Sequence, residues 1–368
     1  MSDVRVIALL GRRDEPTDAV EDYCRYLGGA LATHHFNLEI RRVPWNSHGW
    51  RASLDALRWQ AESWRNTWVL VQYTSLAWSL RGFALRFHRV LRVLRKSGAR
   101  IAVVFHDAEP FGGTRLIDRV RRSVQVRVMR DTVAFSDFSI VTVPVNRLSW
   151  LRSIPLNVHF IPVGANLPGP RLEQNHDLLH EPPTIAVYSI TGGVHGDRET
   201  GQIIRAVRYT AEKIGKVRLL VFGRQANVRE ESLRAGLRHC EVDVCVEGVI
   251  EGEALVERFA ASDVLLFLRG AISSRRGSAI AGIACGLPVV GLRGLETDAP
   301  ITDAGVVLFD ECAEEGQLAD QFGAALVGIL SDQSHRQELA SRSRQAQNCS
   351  FSWSAIASSY STLLSKSP

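Results

Sequence analysis

Runs of consecutive apolar residues alternate along the chain with stretches whose apolar positions recur every three or four residues. VRVIALL (4–10), NLEIRRV, WVLVQY (68–73), RIAVVFHD (100–107) and FSIVTVP (138–144) read as strands buried on both faces. Between them AVEDYCRYLGGALATHH and residues 51–66, 82–97 and 114–134 have helical spacing. A second series repeats the alternation. TIAVYSI (184–190), VRLLVFG (217–223), VDVCVEGVI (242–250), DVLLFLRG and GVVLFD are its strands, with helices expected over 199–214, 229–238 and EALVERFAAS. Such alternation predicts the α/β class, with two doubly wound parallel sheets framing a cleft. HFIPVGANLPGPRLEQNHDLLHEPP (159–183) holds five prolines and no helical period, and reads as the connection. The expected division is a first domain over 1–165, a linker over 166–183, a second domain over 184–349 and a C-terminal helix over 350–368, built on FSWSAIASSYSTLLS.

Length agrees, because 368 residues exceed what one hydrophobic core usually supports. No apolar run reaches ~18 residues and MSDVRVIALL is strand-like, so a cytoplasmic protein is expected. The six cysteines show neither a CxxC pair nor neighbouring histidines at metal-ligand spacing, so they read as reduced thiols. Charge is divided unevenly. Up to Pro168 the chain carries 24 Lys and Arg against 14 Asp and Glu, a net of +10, whereas the remainder carries 20 against 25. Six of the eight tryptophans fall within residues 45–78, and RGFALRFHRVLRVLRK (81–96) is basic with a Leu/Phe/Val face. That pairing suits a helix seated on an anionic membrane surface, peripherally on its inner face, or else a sheet-covering helix with an arginine-rich outer side. The arginines are scattered over several elements without a nucleic-acid module, so no nucleic acid is expected as partner.

Ligands of open α/β sheets bind beyond the carboxyl ends of the strands, which selects the candidate residues. In the second series the loop SITGGVHGDRETG (189–201) leads from strand to helix, and Gly192 and Gly193 would let amides approach a phosphate, assisted by His195 and Arg198. An ordinary turn is the competing reading, since neither GxGxxG nor a Walker A pattern is present. Arg224 follows the strand VRLLVFG, and Val249 stands near the end of VDVCVEGVI. In SSRRGSAIAGIACGLPVV (273–290), Ser273, Ser274, Arg275, Arg276, Gly277 and Ser278 form a doubly basic loop before a helix of small residues that would admit a ligand to the backbone. An anion site is expected there, with Ser278 the candidate N-cap. In the first series FHDAEPFGG (105–113) sets His106 and Asp107 at a strand end, where the pair could bond hydroxyls or handle a proton, with Glu109 nearby.

Taken together, FAASDVLLFLRG with the stretch ending ACGLPVV, HFIPVGAN, and FSW…IA…Y in the terminal helix resemble the retaining nucleotide-sugar glycosyltransferases of the GT-B fold. VLVQY and VVFHD are similar to that family's first-domain strands. The resemblance covers nearly the whole chain. It implies two facing Rossmann-like domains, with the C-terminal helix packing back on the first. It further implies a nucleotide diphosphate sugar as donor substrate with no other cofactor, a saccharide or lipid-linked acceptor, and His106 reaching the donor sugar. Front-face chemistry, in which the leaving phosphate takes the acceptor's proton, belongs to that picture. Metal independence follows from the arginine-rich loop, the lack of an Asp-x-Asp motif, and the resemblance. Two glutamates of the family pattern fall here on Ser273 and Ala281, so the alternative is a non-catalytic saccharide- or nucleotide-binding subunit of a polysaccharide assembly complex.

Overall fold

The computed structural model describes residues 3–15, 17–168, 179–311 and 315–366. The chain forms two compact units, Met1–Asn166 with Trp353–Pro368, and Leu167–Ser352. Residues 169–178 of the expected linker, and Cys312, lie outside the described residues.

The first unit contains β1 (Val4–Leu10), α1 (Ala19–Ala32), β2 (Phe36–Arg42), α2 (Trp45–His48), α3 (Trp50–Ala61), β3 (Trp68–Tyr73), α4 (Phe87–Lys96), β4 (Arg100–Phe105), α5 (Leu116–Phe135), β5 (Phe138–Val141) and β6 (Val158–Phe160). Its sheet is parallel throughout, in the order β2-β1-β3-β4-β5-β6. β6 corrects the sequence reading. Three residues flanked by prolines carry no strand period, yet Val158–Phe160 pairs with β5 as the sixth strand.

The basic helix is also corrected. α4 begins at Phe87, and Phe87, Val90, Leu91, Val93 and Leu94 are buried in the core against the sheet. Its apolar face is therefore covered and cannot enter a bilayer. Trp45, Trp64, Trp68 and Trp78 are core residues too, whereas Trp59 is exposed.

The second unit contains β7 (Thr184–Tyr188), α6 (Gly193–Ile214), β8 (Val217–Phe222), α7 (Ala226–Leu237), β9 (Val242–Val246), α8 (Glu253–Ala260), β10 (Val264–Ala271), α9 (Gly277–Ala284), β11 (Val289–Leu292), β12 (Val306–Phe309), α10 (Glu315–Ser331) and α11 (Gln333–Ala346). The sheet order is β12-β11-β10-β7-β8-β9, again all parallel. α6 starts six residues before the expected helix, because the glycine loop is itself the first turn. The chain then returns to the first unit as α12 (Trp353–Ser365), which packs on α1. There the Tyr23 and Tyr360 hydroxyls share a buried 2.8 Å hydrogen bond, Trp353 stacks on Tyr26, and Trp68 Nε1 donates to the Leu364 carbonyl.

The strand orders fix where ligands can bind. Chain direction across the sheet reverses between β1 and β3 in the first unit and between β7 and β10 in the second, and at such points the loops leave in opposite directions and open a crevice.

Candidate functional site

At the second unit's switch point two helix N-termini and four arginines converge. Ser189 follows β7, held at φ 65° with its Oγ accepting from the Arg224 amide at 3.1 Å, which ties the ends of β7 and β8 together. The next residues lead into α6, whose N-cap is Gly192 and whose first-turn amides receive no side-chain cap. Gly193 has φ 65° and open space where a Cβ would stand, so the loop leaves room beside an uncapped helix end. Glu199, buried one turn on, accepts from the Thr191 amide at 2.8 Å and pins the loop.

Beyond β10 the serines turn inward. Ser273 and Ser274 are buried, and Ser273 Oγ donates to Glu296 Oε2 at 3.1 Å. Arg275 donates to both oxygens of the same carboxylate, at 2.6 and 2.8 Å. Burial raises the Glu296 pKa, but the Arg275 bonds and charge, then Ser273 and Arg276, outweigh it and hold the carboxyl below its usual range. Arg275 is thus a neutralised partner. Arg276 differs: among the described residues its buried Nε has no hydrogen-bond partner, and burial, then Arg275, depress its pKa to about 10. Arg269, at the end of β10, shares the condition. Its Nε is buried without a partner, and burial, with Arg224 adding repulsion against Glu199, lowers its pKa.

Holding partly dehydrated guanidinium groups without a hydrogen-bonded counter-charge costs several kcal/mol, on the order of what an anion's arrival would return. The cluster of Arg224, Arg269, Arg275 and Arg276 against Glu199 and Glu296 carries two positive charges in excess. A dianionic or trianionic group of diphosphate size matches it.

The α9 readings need correction. The helix starts at Gly277 with Arg276 at the N-cap position and no side-chain cap, so Ser278 lies inside the first turn and does not cap it. Small residues here serve packing more than ligand approach. Residues 279–284 are all buried, and a Cβ on Gly282 would stand 2.5 Å from Leu265 Cδ2. Only Gly277 faces open space. Of the other predicted residues, His195 is exposed on the first turn of α6, and Arg198 pairs with Glu311 at 3.3 Å. Val249 stands exposed in the loop after β9, which ends at Val246 at the sheet's edge.

Sequence reasoning missed Arg269 and Glu296. The first was visible as the only charge closing the apolar run DVLLFLRG. Glu296 lies 21 residues from Arg275 and is joined to it only by the fold.

In the first unit the switch point holds a cavity of about 270 Å³, lined among others by Arg12, Asp18, Arg42, Gln72, Leu76 and Asp107. Asp18 caps α1, accepting from the Val20 and Glu21 amides, and with Glu21 it binds Arg42, which also donates to the Gly11 carbonyl. Asp107 accepts from the Ser75 amide at 2.6 Å and lines the cavity, while His106 is half-buried on the sheet face beneath α1, its ring edge-on to Tyr23. His106 Nε2 lies 2.8 Å from Gln72 Oε1, and the Gln72 amide nitrogen donates to the Leu70 carbonyl. That second bond makes Oε1 the acceptor, so His106 carries its proton on Nε2 and keeps the Nδ1 lone pair. Burial depresses its pKa to about 4, so at neutral pH the imidazole is uncharged and suited to accepting a hydroxyl hydrogen bond. Glu109 is taken by the Ser149 amide and hydroxyl. Among the described residues no three His, Cys, Asp or Glu side chains are grouped to hold a metal ion.

No family model and no characterised protein matches the chain by sequence. Solved structures do match. HepE of Anabaena in complex with UDP and glucose is 13% identical with a TM-score of 0.62, covering 98% of this chain and 99% of its own. Sucrose-phosphate synthase of Thermosynechococcus elongatus is 18% identical with a TM-score of 0.67, covering 98% of each chain. WaaG, a glycosyltransferase involved in lipopolysaccharide biosynthesis, is 13% identical with a TM-score of 0.57, covering 98% and 100%. At these identities the likeness establishes the fold: both units of this chain have the architecture of GT-B glycosyltransferases.

Proposed function

We propose that the protein is a metal-independent glycosyltransferase. It would move a sugar, with retention, from a nucleotide diphosphate donor to a saccharide or lipid-linked acceptor in polysaccharide or glycoconjugate synthesis. The observation that carries this reading is the pair of buried guanidinium groups at the β7/β10 switch point, Arg269 and Arg276, whose Nε atoms have no partner among the described residues. HepE, which shares the fold, is seen with UDP and glucose, and that supports a nucleotide sugar as the ligand.

In this reading the diphosphate sits over the N-termini of α6 and α9 with its charge met by Arg269 and Arg276, while Arg275 is kept in place by Glu296. The bond from the anomeric carbon to phosphate breaks and the acceptor oxygen bonds the same face of that carbon. The leaving phosphate oxygen takes the acceptor's proton, giving a glycoside and a nucleoside diphosphate. The arginines act by stabilising the charge that develops on the leaving group. His106, neutral, would orient a sugar hydroxyl at Nδ1, and the 270 Å³ cavity, about the size of one sugar ring, would take the acceptor's terminal residue through Asp107, Gln72 and Arg12.

Titration calorimetry with UDP and UDP-sugars tests the donor site. Binding that weakens at least about tenfold in Arg269→Ala is expected, from the loss of one charge-assisted bond. Absence of binding to every nucleoside diphosphate, or indifference to the substitution, would sink the proposal. A nucleotide sugar that binds but is neither hydrolysed nor transferred would instead favour the non-catalytic subunit.

A further inference from the structure

A groove of about 800 Å³ runs between α3 and α4 on the first unit, away from the strand-end cavity. Six cations line it, Arg51, Arg58, Arg86, Arg89, Arg92 and Lys96, against the single carboxylate of Asp55. Arg58 pairs with Asp55; among the described residues none of the other five forms an ion pair. One turn on from Asp55, Trp59 is 75% exposed. The groove is thus a concentrated positive surface with an aromatic residue on its rim.

A second, apolar feature adjoins Arg86 in the chain. Leu85, 58% exposed, immediately precedes Arg86, and Leu80 in the same β3–α4 loop is 65% exposed. The β4–α5 loop lies against this one. Gln125 donates to the Gly82 carbonyl and accepts from the Phe111 amide, and the Arg121 guanidinium stands 4.7 Å from the Phe111 ring and 5.6 Å from that of Phe83. Leu116 and Ile117, which start α5, are exposed as well. Two loops tied together through Arg121 and Gln125 of α5 therefore stand, with their exposed aliphatic neighbours, beside a row of unpaired cations. Leu76, in the same β3–α4 connection, is exposed and also lines the 270 Å³ cavity.

We propose that the first unit docks on an anionic phospholipid bilayer, with headgroup phosphates in the α3–α4 groove and Leu80, Leu85 and Leu116 entering the headgroup boundary. The sequence pointed to the apolar face of α4 for this purpose. That face is buried, and the docking surface is instead the outer, basic side of α4 together with α3 and the two loops. An acidic protein partner would use the cations but has no need of exposed leucines at two loop tips. A bilayer uses both, since polybasic attraction and shallow apolar insertion add. The cavity then opens beside the surface at which a lipid-linked saccharide is displayed, which deepens the acceptor side of the glycosyltransferase reading. Docking itself stands without that reading.

Flotation of the full chain with phosphatidylcholine vesicles, with and without phosphatidylglycerol, reads the proposal directly. Binding to the anionic vesicles alone, weakened by salt, is expected. R89Q/R92Q/K96Q should lower partitioning on the order of a hundredfold, at roughly one surface charge's worth of attraction per residue. L80S/L85S should lower it by at least about tenfold, given the area two leucines bury. The three cations line the groove and the two leucines are exposed, and thermal melts of the same variants followed by circular dichroism report whether the first unit remains folded. Failure to bind anionic vesicles, equal binding to neutral ones, or full binding by either variant would overturn it. So would tight binding of polyglutamate that the leucine substitutions leave intact, which would assign the groove to an acidic protein. UDP binding that persists while flotation fails would separate the loss of this proposal from that of the donor site.

Discussion

Replacing Arg276 by methionine should make the empty protein more stable and the nucleotide-bound protein harder to form. The two effects share one cause. The guanidinium is largely buried, its Nε has no acceptor, and its pKa falls from the usual 12.5 to about 10, equivalent to roughly 3 kcal/mol of cost in the charged form. Because the folded pKa lies below the unfolded one, this cost is fully present at neutral pH and is relieved only as pH rises through about 10. Methionine keeps much of the stem's packing and removes the charge, so a gain of about 1–3 kcal/mol is expected, or a rise of a few degrees in the melting temperature of the second unit. Binding moves the other way. A charge-assisted bond to phosphate is worth about 1.5–3 kcal/mol, so the dissociation constant for UDP should rise roughly tenfold to a hundredfold. Scanning calorimetry with and without UDP measures both at once, since ligand-induced stabilisation follows the ratio of concentration to dissociation constant. A melting temperature that falls without ligand would show that Arg276 makes structural bonds in the folded protein. An unchanged shift with UDP would show that it faces no phosphate. Either outcome refutes the reasoning.

Two further outcomes follow from the sites described. His106→Gln should leave UDP affinity unchanged while lowering transfer. It should also flatten the stability profile between about pH 6.5 and 4, because burial depresses the native pKa and the unfolded chain binds the proton first over that window, so wild-type stability is lost as pH falls through it; urea titrations across that range compare the two. Gly282→Ala should destabilise the second unit by about 1–3 kcal/mol through the clash with Leu265, read as a lower urea midpoint at unchanged slope.

The α/β architecture was legible because strands such as β3 and β4 are buried on both faces and so read as unbroken apolar runs. β6 was hidden because three residues between proline-rich segments show no period, and only pairing with β5 makes them a strand. The basic loop before α9 was correctly placed at a strand end, yet the division of labour within it was not readable. Arg275 and Arg276 are adjacent and chemically identical, and what separates them is Glu296, delivered from beyond β11 by the fold. Likewise Ser273, standing where the family resemblance expects a carboxylate, lies within hydrogen-bond reach of one supplied from elsewhere in the chain. For α4 the pattern of apolar and basic positions was correct, and the partner of the apolar side was not, since amphipathic spacing alone does not distinguish a sheet from a bilayer.

The return of α12 to the first unit has a consequence for how the protein is made. Tyr360, which meets Tyr23, and Leu364, which meets Trp68, leave the ribosome only after every residue of Leu167–Ser352 has been added. At about 5–20 residues per second, the nascent first unit waits roughly ten to forty seconds with the outer side of α1 uncovered. During that interval Tyr23 and the indole of Trp68 lack their final partners, and a chaperone or early proteolysis would find the amino-terminal half open. The first unit is thus closed by a helix made only after the whole of the second.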